Sequence, residues 1–240
     1  MGSGMMMEGQ SQLKEMQERV RPQQPLAIRV IAQIISWIFH PVFLPLMVIA
    51  FLVYEHPYLF AGFSGFLKFR IMMIAVVCFT FFPLVTVLLL RGLKFIDTIY
   101  LHTQKDRVIP FIACMIWYFW ISYVWFNFGK TAGGIDIPHE AILFAASAFV
   151  STIIGLMVNI RMKVSLHAIS AGIMLTFFIL MAFTQSLHFG GWLSVVFLVT
   201  GLICTARMIV SDHTTQEIYG GLVTGAASVL LARTLLSMLG

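Results

Sequence analysis

Long apolar stretches, separated by short polar turns, dominate this chain. Seven of them meet or approach the about 20 residues that carry a helix across a bilayer core. They cover roughly 28–54, 68–90, 108–128, 138–160, 167–186, 190–210 and 218–239. The pattern predicts an all-α polytopic membrane bundle of six to seven spans. A six-helix core occupies about 68–240, preceded by a broken N-terminal helix, and 27–240 form one transmembrane domain. Pro41 and Pro45 follow His40 inside the first stretch. Proline lacks the amide hydrogen and clashes with the carbonyl four residues back, so a break is expected there, with His40 serving it. Pro83 should bend the second stretch. Residues 1–26 read as a polar tail or leader, within which Ser11 to Arg21 has the charge pattern of a surface helix. The longest polar loop, 91–107, leaves no room for a soluble domain.

Composition sharpens the class. Hydrophobic residues make up 60% of the 240 and charged residues 10%. A soluble domain carries about 25% charged residues, so a soluble globule and a disordered chain are both excluded. The net charge of +5 is small against so much apolar surface, and the basic residues flank spans rather than form a stripe, so no nucleic-acid partner is expected. Cys78, Cys114 and Cys204 lie within apolar runs without a CxxC and read as small buried hydrophobes. Gly221 and Gly225, beside Ala226 and Ala227, form a small-residue face suited to close helix packing, within the chain or across a homodimer. Membrane lipids are the remaining partner.

Counting crossings sorts the loops. The tail, 91–107, 161–166 and 211–217 share one face, and the other loops share the second. The first face collects Lys14, Arg19, Arg21, Arg29, Arg91, Lys94, Lys105, Arg107, Arg161, Lys163 and Arg207, eleven cations. The second has Lys68, Arg70, Lys130 and Arg233, four. That bias favours a cytoplasmic first face, and a bacterial inner membrane is the expected location. Setting aside Lys105, Arg107, Lys163 and Arg207 as candidate site or anchor residues leaves seven against four, a weaker bias.

Ionisable groups at membrane depth are costly and point to function. Three clusters lie on the first face. They are Lys105-Asp106-Arg107 with Pro110, then Lys163-Val164-Ser165-Leu166-His167, then Arg207 through Ser211-Asp212-His213 to Glu217. An even number of crossings separates each pair, so all three can meet. Arg and Lys together clamp a phosphate dianion. Two histidines divide nucleophilic attack and proton transfer. Glu217 follows His213 by four residues, one helical turn, and is placed to orient its imidazole.

These residues resemble the membrane members of the type 2 phosphatidic acid phosphatase and vanadium haloperoxidase superfamily. Arg207, five residues, His213, three residues and Glu217 are similar in spacing to that family's third motif, which has Asp in place of Glu. Ser165 and His167 are similar to its second, with Leu166 where the family has glycine. Lys105, Arg107 and Pro110 stand as a compressed first motif. The separations, 62 residues from Lys105 to His167 and 46 from His167 to His213, are similar as well.

The resemblance implies an enzyme, a metal-independent lipid phosphatase. In it His213 is the nucleophile, Glu217 its orienting carboxylate and His167 the acid and base. Lys105, Arg107, Arg207 and Ser165 bind the phosphate. It implies a lipid phosphate substrate in the bilayer and no cofactor. The departures raise the expectation of an altered substrate or of head-group phosphotransfer. An anion or lipid transporter is the non-catalytic alternative. A zinc site of His167, Asp212, His213 and Glu217 is disfavoured by the surrounding cations and the lack of HExxH. Arg161 and Lys163 are expected as snorkelling anchors and Asp212 as a solvated carboxylate.

Overall fold

The computed structural model describes residues 24–96, 104–131, 136–184, 189–210 and 213–239, with backbone alone at 130–131. The surface helix expected at Ser11–Arg21, and Asp212, lie outside them. The described residues form helices and no strands. Six helices are long and apolar enough to cross a membrane, and the chain is an integral membrane protein of the all-α polytopic class. We call the helices α1 (Leu26–Ile38), α2 (Leu44–Glu55), α3 (Gly65–Gly92), α4 (Gln104–Phe126), α5 (His139–Arg161), α6 (Leu166–Thr184), α7 (Gly190–Val210) and α8 (Thr215–Leu239).

The first apolar stretch is divided. Its helical hydrogen bonds stop at the Phe39 amide, which donates to the Ile35 carbonyl, and a turn through Pro41 leads into α2. Each piece is shorter than a full span. Helix α1 lies on α7, with Ala32 and Ser36 its buried residues. Helix α2 lies on α6 and α3, and Phe51 meets Phe178 and Trp192 with ring centroids 4.9 and 4.7 Å apart. The break sits within the bundle, because Thr80, midway along α3, donates its hydroxyl to the Val42 carbonyl at 2.9 Å. In α3 the backbone takes a π-helical register over Val76–Phe81, immediately before Pro83. The wider turn accommodates the missing proline amide where a bend was expected.

Helices α5 and α6 are the most enclosed, and α8 lies against both. The expected glycine face is the α6–α8 contact, so these glycines pack within the chain. A Cβ on Gly225 would lie 2.7 Å from the Ile173 amide nitrogen, and one on Gly221 2.8 Å from the Ser165 carbonyl. Large apolar side chains such as Leu88, Ile116, Trp120, Phe197 and Leu230 stay exposed. That surface suits hydrocarbon, where an outward apolar side chain carries no penalty. With six crossings, the loops after α3, α5 and α7 share one end of the bundle whichever way the first stretch runs.

Candidate active site

At that shared end the chain enters α4, α6 and α8 and leaves α7. Three helix N-termini therefore meet, each with positive partial charge, a setting that favours an anion. Arg207 occupies the last turn of α7, where the helix dipole favours a cation.

Helix α8 starts with a capping box, Thr214-Thr215-Gln216-Glu217. The Glu217 amide donates to Thr214 Oγ1 at 3.3 Å, and the Thr214 amide donates to Glu217 Oε2 at 3.1 Å. The same Oε2 lies 2.8 Å from His213 Nδ1. An ionised carboxylate only accepts, so Nδ1 carries the proton and Nε2 keeps its lone pair. His213 is 6% exposed. Burial and the nearby charges of Arg107 and Lys163 push its pKa down from 6.5 to about 4, while Glu217 pulls upward. The ring is neutral at pH 7 and has the form a nitrogen nucleophile needs.

Ser165 caps α6, its Oγ accepting from the Ala168 amide at 3.4 Å. Its own amide donates to the Glu217 carbonyl at 3.3 Å. This bond ties the mouth of α6 to the first turn of α8 and holds His167 and His213 at one level. Ser165 is fully buried, and its hydroxyl serves its own helix. Leu166 packs partly buried against the core.

Arg107 is 5% exposed, and its Nη1 donates to the Val164 carbonyl. The α4 mouth is clamped to α5 by a reciprocal pair. Gln104 Nε2 donates to the Asn159 carbonyl at 2.8 Å, and Asn159 Nδ2 donates to the Gln104 carbonyl at 2.9 Å. This clamp, which the sequence reading missed, sets the depth of Arg107 one turn further in. Lys105 lies two residues before Arg107, about 200° around the helix, and is exposed. No described hydrogen bond or ion pair brings Lys105 to the cluster. Of the two cations in the compressed first motif, Arg107 faces the site.

Electrostatic neighbours complete the map. Glu217 and Arg207 both act on Arg107. Arg207, His40 and His213 act on His167. His213, His167, Glu217, Arg207, Arg107 and Ser165 are thus gathered at one end of the bundle, and Lys105 stands apart. Two further residues join them. Lys163, expected as a snorkelling anchor, is partly buried and acts on His213. His40 does serve its helix break, since its Nδ1 accepts from the Val42 amide at 3.3 Å. Its ring also stands edge-on to His167, 5.2 Å between centroids. Spacing gave no hint of this, because more than a hundred residues separate the two. Among the described residues, no three His, Cys, Asp or Glu side chains form a metal-ligand group.

For turnover of a phosphate substrate at this site, Arg107→Ala would cost about 10²–10³-fold in kcat/KM, in the range of a lost transition-state donor. Lys105→Ala should stay within about threefold of wild type. Steady-state kinetics of the two purified variants checks this contrast, and equal losses would overturn the assignment of Arg107. No protein-family model, no curated protein and no solved structure matches this chain, so the reading of the site rests on its own geometry.

Proposed function

We propose that this chain is an integral membrane lipid phosphatase, hydrolysing a phosphomonoester or pyrophosphate of a lipid through a phosphohistidine without a metal. The observation that carries this reading is the 2.8 Å pair of His213 Nδ1 and Glu217 Oε2, set among buried or half-buried Arg107, Arg207 and Lys163. A neutral imidazole oriented by a carboxylate is a nucleophile, and the cations around it suit a phosphate dianion.

The chemistry then runs in two steps. His213 Nε2 attacks phosphorus, the bond from phosphorus to the lipid oxygen breaks, and His167 gives that oxygen a proton. Glu217 stabilises the charge that develops on His213. In the second step His167 takes a proton from water as the water oxygen attacks the phosphohistidine. The phosphorus–nitrogen bond breaks and inorganic phosphate leaves. The guanidinium groups of Arg107 and Arg207 hold the equatorial oxygens throughout. The oriented His213–Glu217 pair favours catalysis over transport, because binding an anion for passage needs the cations alone.

The test is phosphate release by purified protein from phosphatidic acid, phosphatidylglycerophosphate and polyprenyl pyrophosphate in mixed micelles. Release should survive EDTA and be inhibited by vanadate, which adopts the five-coordinate geometry. Loss with EDTA and recovery with zinc would overturn the metal-free reading. A head-group exchange product in place of free phosphate would make the chain a phosphotransferase using the same residues. No turnover of any of these, with anion flux in liposomes that survives His213→Ala, would favour the transporter.

A further inference from the structure

Proline at position 41 has a consequence beyond dividing a helix. In an unbroken helix the Ser36 carbonyl would accept from the His40 amide, four residues on. Pro41 blocks this, because the residue before a proline is driven out of the helical region. The last helical bond of α1 is accordingly that of Phe39 to Ile35. The Ser36 carbonyl is left as one of the orphan acceptors of a helix end. It points at His167, whose Nε2 lies 3.0 Å away. A carbonyl only accepts, so Nε2 carries the proton. His40, the residue released from the helix by the same break, packs its ring edge-on to His167. Its Nδ1 stays occupied by the Val42 amide, which fixes that ring in turn.

We infer that the break at His40–Pro41 is a built part of the catalytic site, with the Ser36 carbonyl and the His40 ring as the positioning groups of His167. The inference rests on the phosphatase reading above. Ser36 does for His167 what Glu217 does for His213: it fixes the tautomer and the ring plane. With Nε2–H committed to Ser36, Nδ1 is the nitrogen that trades a proton with the substrate. In the first step His167, at rest the neutral Nε2–H ring, receives on Nδ1 the proton of a phosphate monoanion and passes it to the departing lipid oxygen. In the second step Nδ1 takes a proton from the attacking water and gives it to the departing inorganic phosphate, and the ring returns to its starting state. The N-terminal stretch, which the six-helix core does not need for crossing the membrane, thereby acquires a role in the reaction.

The experiment uses the full chain, with Pro41→Ala, His40→Leu and His40→Asn as variants and two substrates of opposite demand. Phosphatidic acid expels an alkoxide that needs a proton. Para-nitrophenyl phosphate expels a phenolate that leaves without one. Phosphohistidine formation is followed by rapid quench, with thermal melting in parallel. Pro41→Ala and His40→Leu should lose about 10²-fold or more in phosphohistidine formation from phosphatidic acid, the scale of general-acid catalysis. They should stay within about fivefold on the aryl phosphate. His40→Asn, which keeps an acceptor near the position of Nδ1, should recover part of what His40→Leu loses. Equal losses on both substrates would mean general disruption and overturn the proposal, as would no loss on phosphatidic acid. These outcomes leave the phosphatase reading standing. A wild-type protein that forms no phosphohistidine from either substrate sinks both.

Discussion

His213→Ala should abolish phosphohistidine formation and lower phosphate release by about 10⁴–10⁶-fold, the scale seen when a covalent nucleophile is removed. The expectation follows from the geometry. His213 has one ring nitrogen on a carboxylate, and its other nitrogen carries the lone pair. Glu217→Gln should cost less, about 10–10²-fold. A glutamine oxygen still accepts from the Thr214 amide and from Nδ1–H, so the helix cap and the tautomer survive. What is lost is the charge that stabilises the imidazolium as it forms. The pH profile gives an independent check. The histidine pKa is pushed down, so the nucleophile is protonated only as pH falls toward about 4, where an unperturbed ring would titrate at 6.5. Across pH 7 to 5 the acid limb of kcat/KM should therefore stay nearly flat. A limb centred near 6.5 would mean that His213 is not the group being titrated, or that its buried setting opens when substrate binds. Unchanged release by His213→Ala would remove the nucleophile assignment altogether.

How much of this was legible in the chain differs between fold and site. Span positions were readable because the bilayer imposes one length on every crossing helix and charges mark the ends. Helices α3 to α8 accordingly begin and end within a few residues of the apolar runs that announce them. The crossing parity that gathers the three clusters follows from the same count. The break before Pro41 was also readable, since it is a local steric effect. What it does was not. That the Ser36 carbonyl would turn to His167 depends on α1 lying against α7, and helix partners in a membrane are chosen by surface fit. The same limit applies to Lys163, whose role depends on its depth near His213. Lys105 and Arg107 illustrate a signal that was present: two residues apart on a helix, they cannot share a face. Glu217 carried one more. Thr-x-x-Glu is a capping box, which places the carboxylate on the helix end as well as beside His213. The proposed function follows from the site and not from the helical bundle, a scaffold that supports many activities.

Gly225→Ala should destabilise the protein by about 1–3 kcal/mol or more, the range for overpacking, although the same change in an exposed helix of a soluble protein would be favourable by about 1 kcal/mol. The sign reverses because of what the new methyl meets. Around Gly225 the nearest atoms are backbone: the Ile169 carbonyl, the Ile173 nitrogen at 2.7 Å and the Gly172 carbonyl carbon at 2.9 Å. A side-chain tip can rotate aside, but a helix backbone moves only as a body. Gly172 repeats the arrangement from the other side, with the Leu222 backbone where its Cβ would be. Helices α6 and α8 must therefore separate along their length. The lost contacts fall in the most enclosed part of the bundle, where lipid offers no hydrophobic force to press the helices together again. Gly221→Ala carries the same strain to the active site. Its methyl would meet the Ser165 carbonyl at 2.8 Å, on the same residue whose amide makes the bond that levels α6 against α8. Gly221→Ala should thus lower kcat by about 10²-fold, the scale of a 1 Å misplacement of catalytic groups. Gly225→Ala, deeper in the bundle, should lower the melting temperature first. Melting in detergent read beside phosphate release separates the two. If both variants melt and turn over like wild type, the α6–α8 contact is not what sets the distance between His167 and His213.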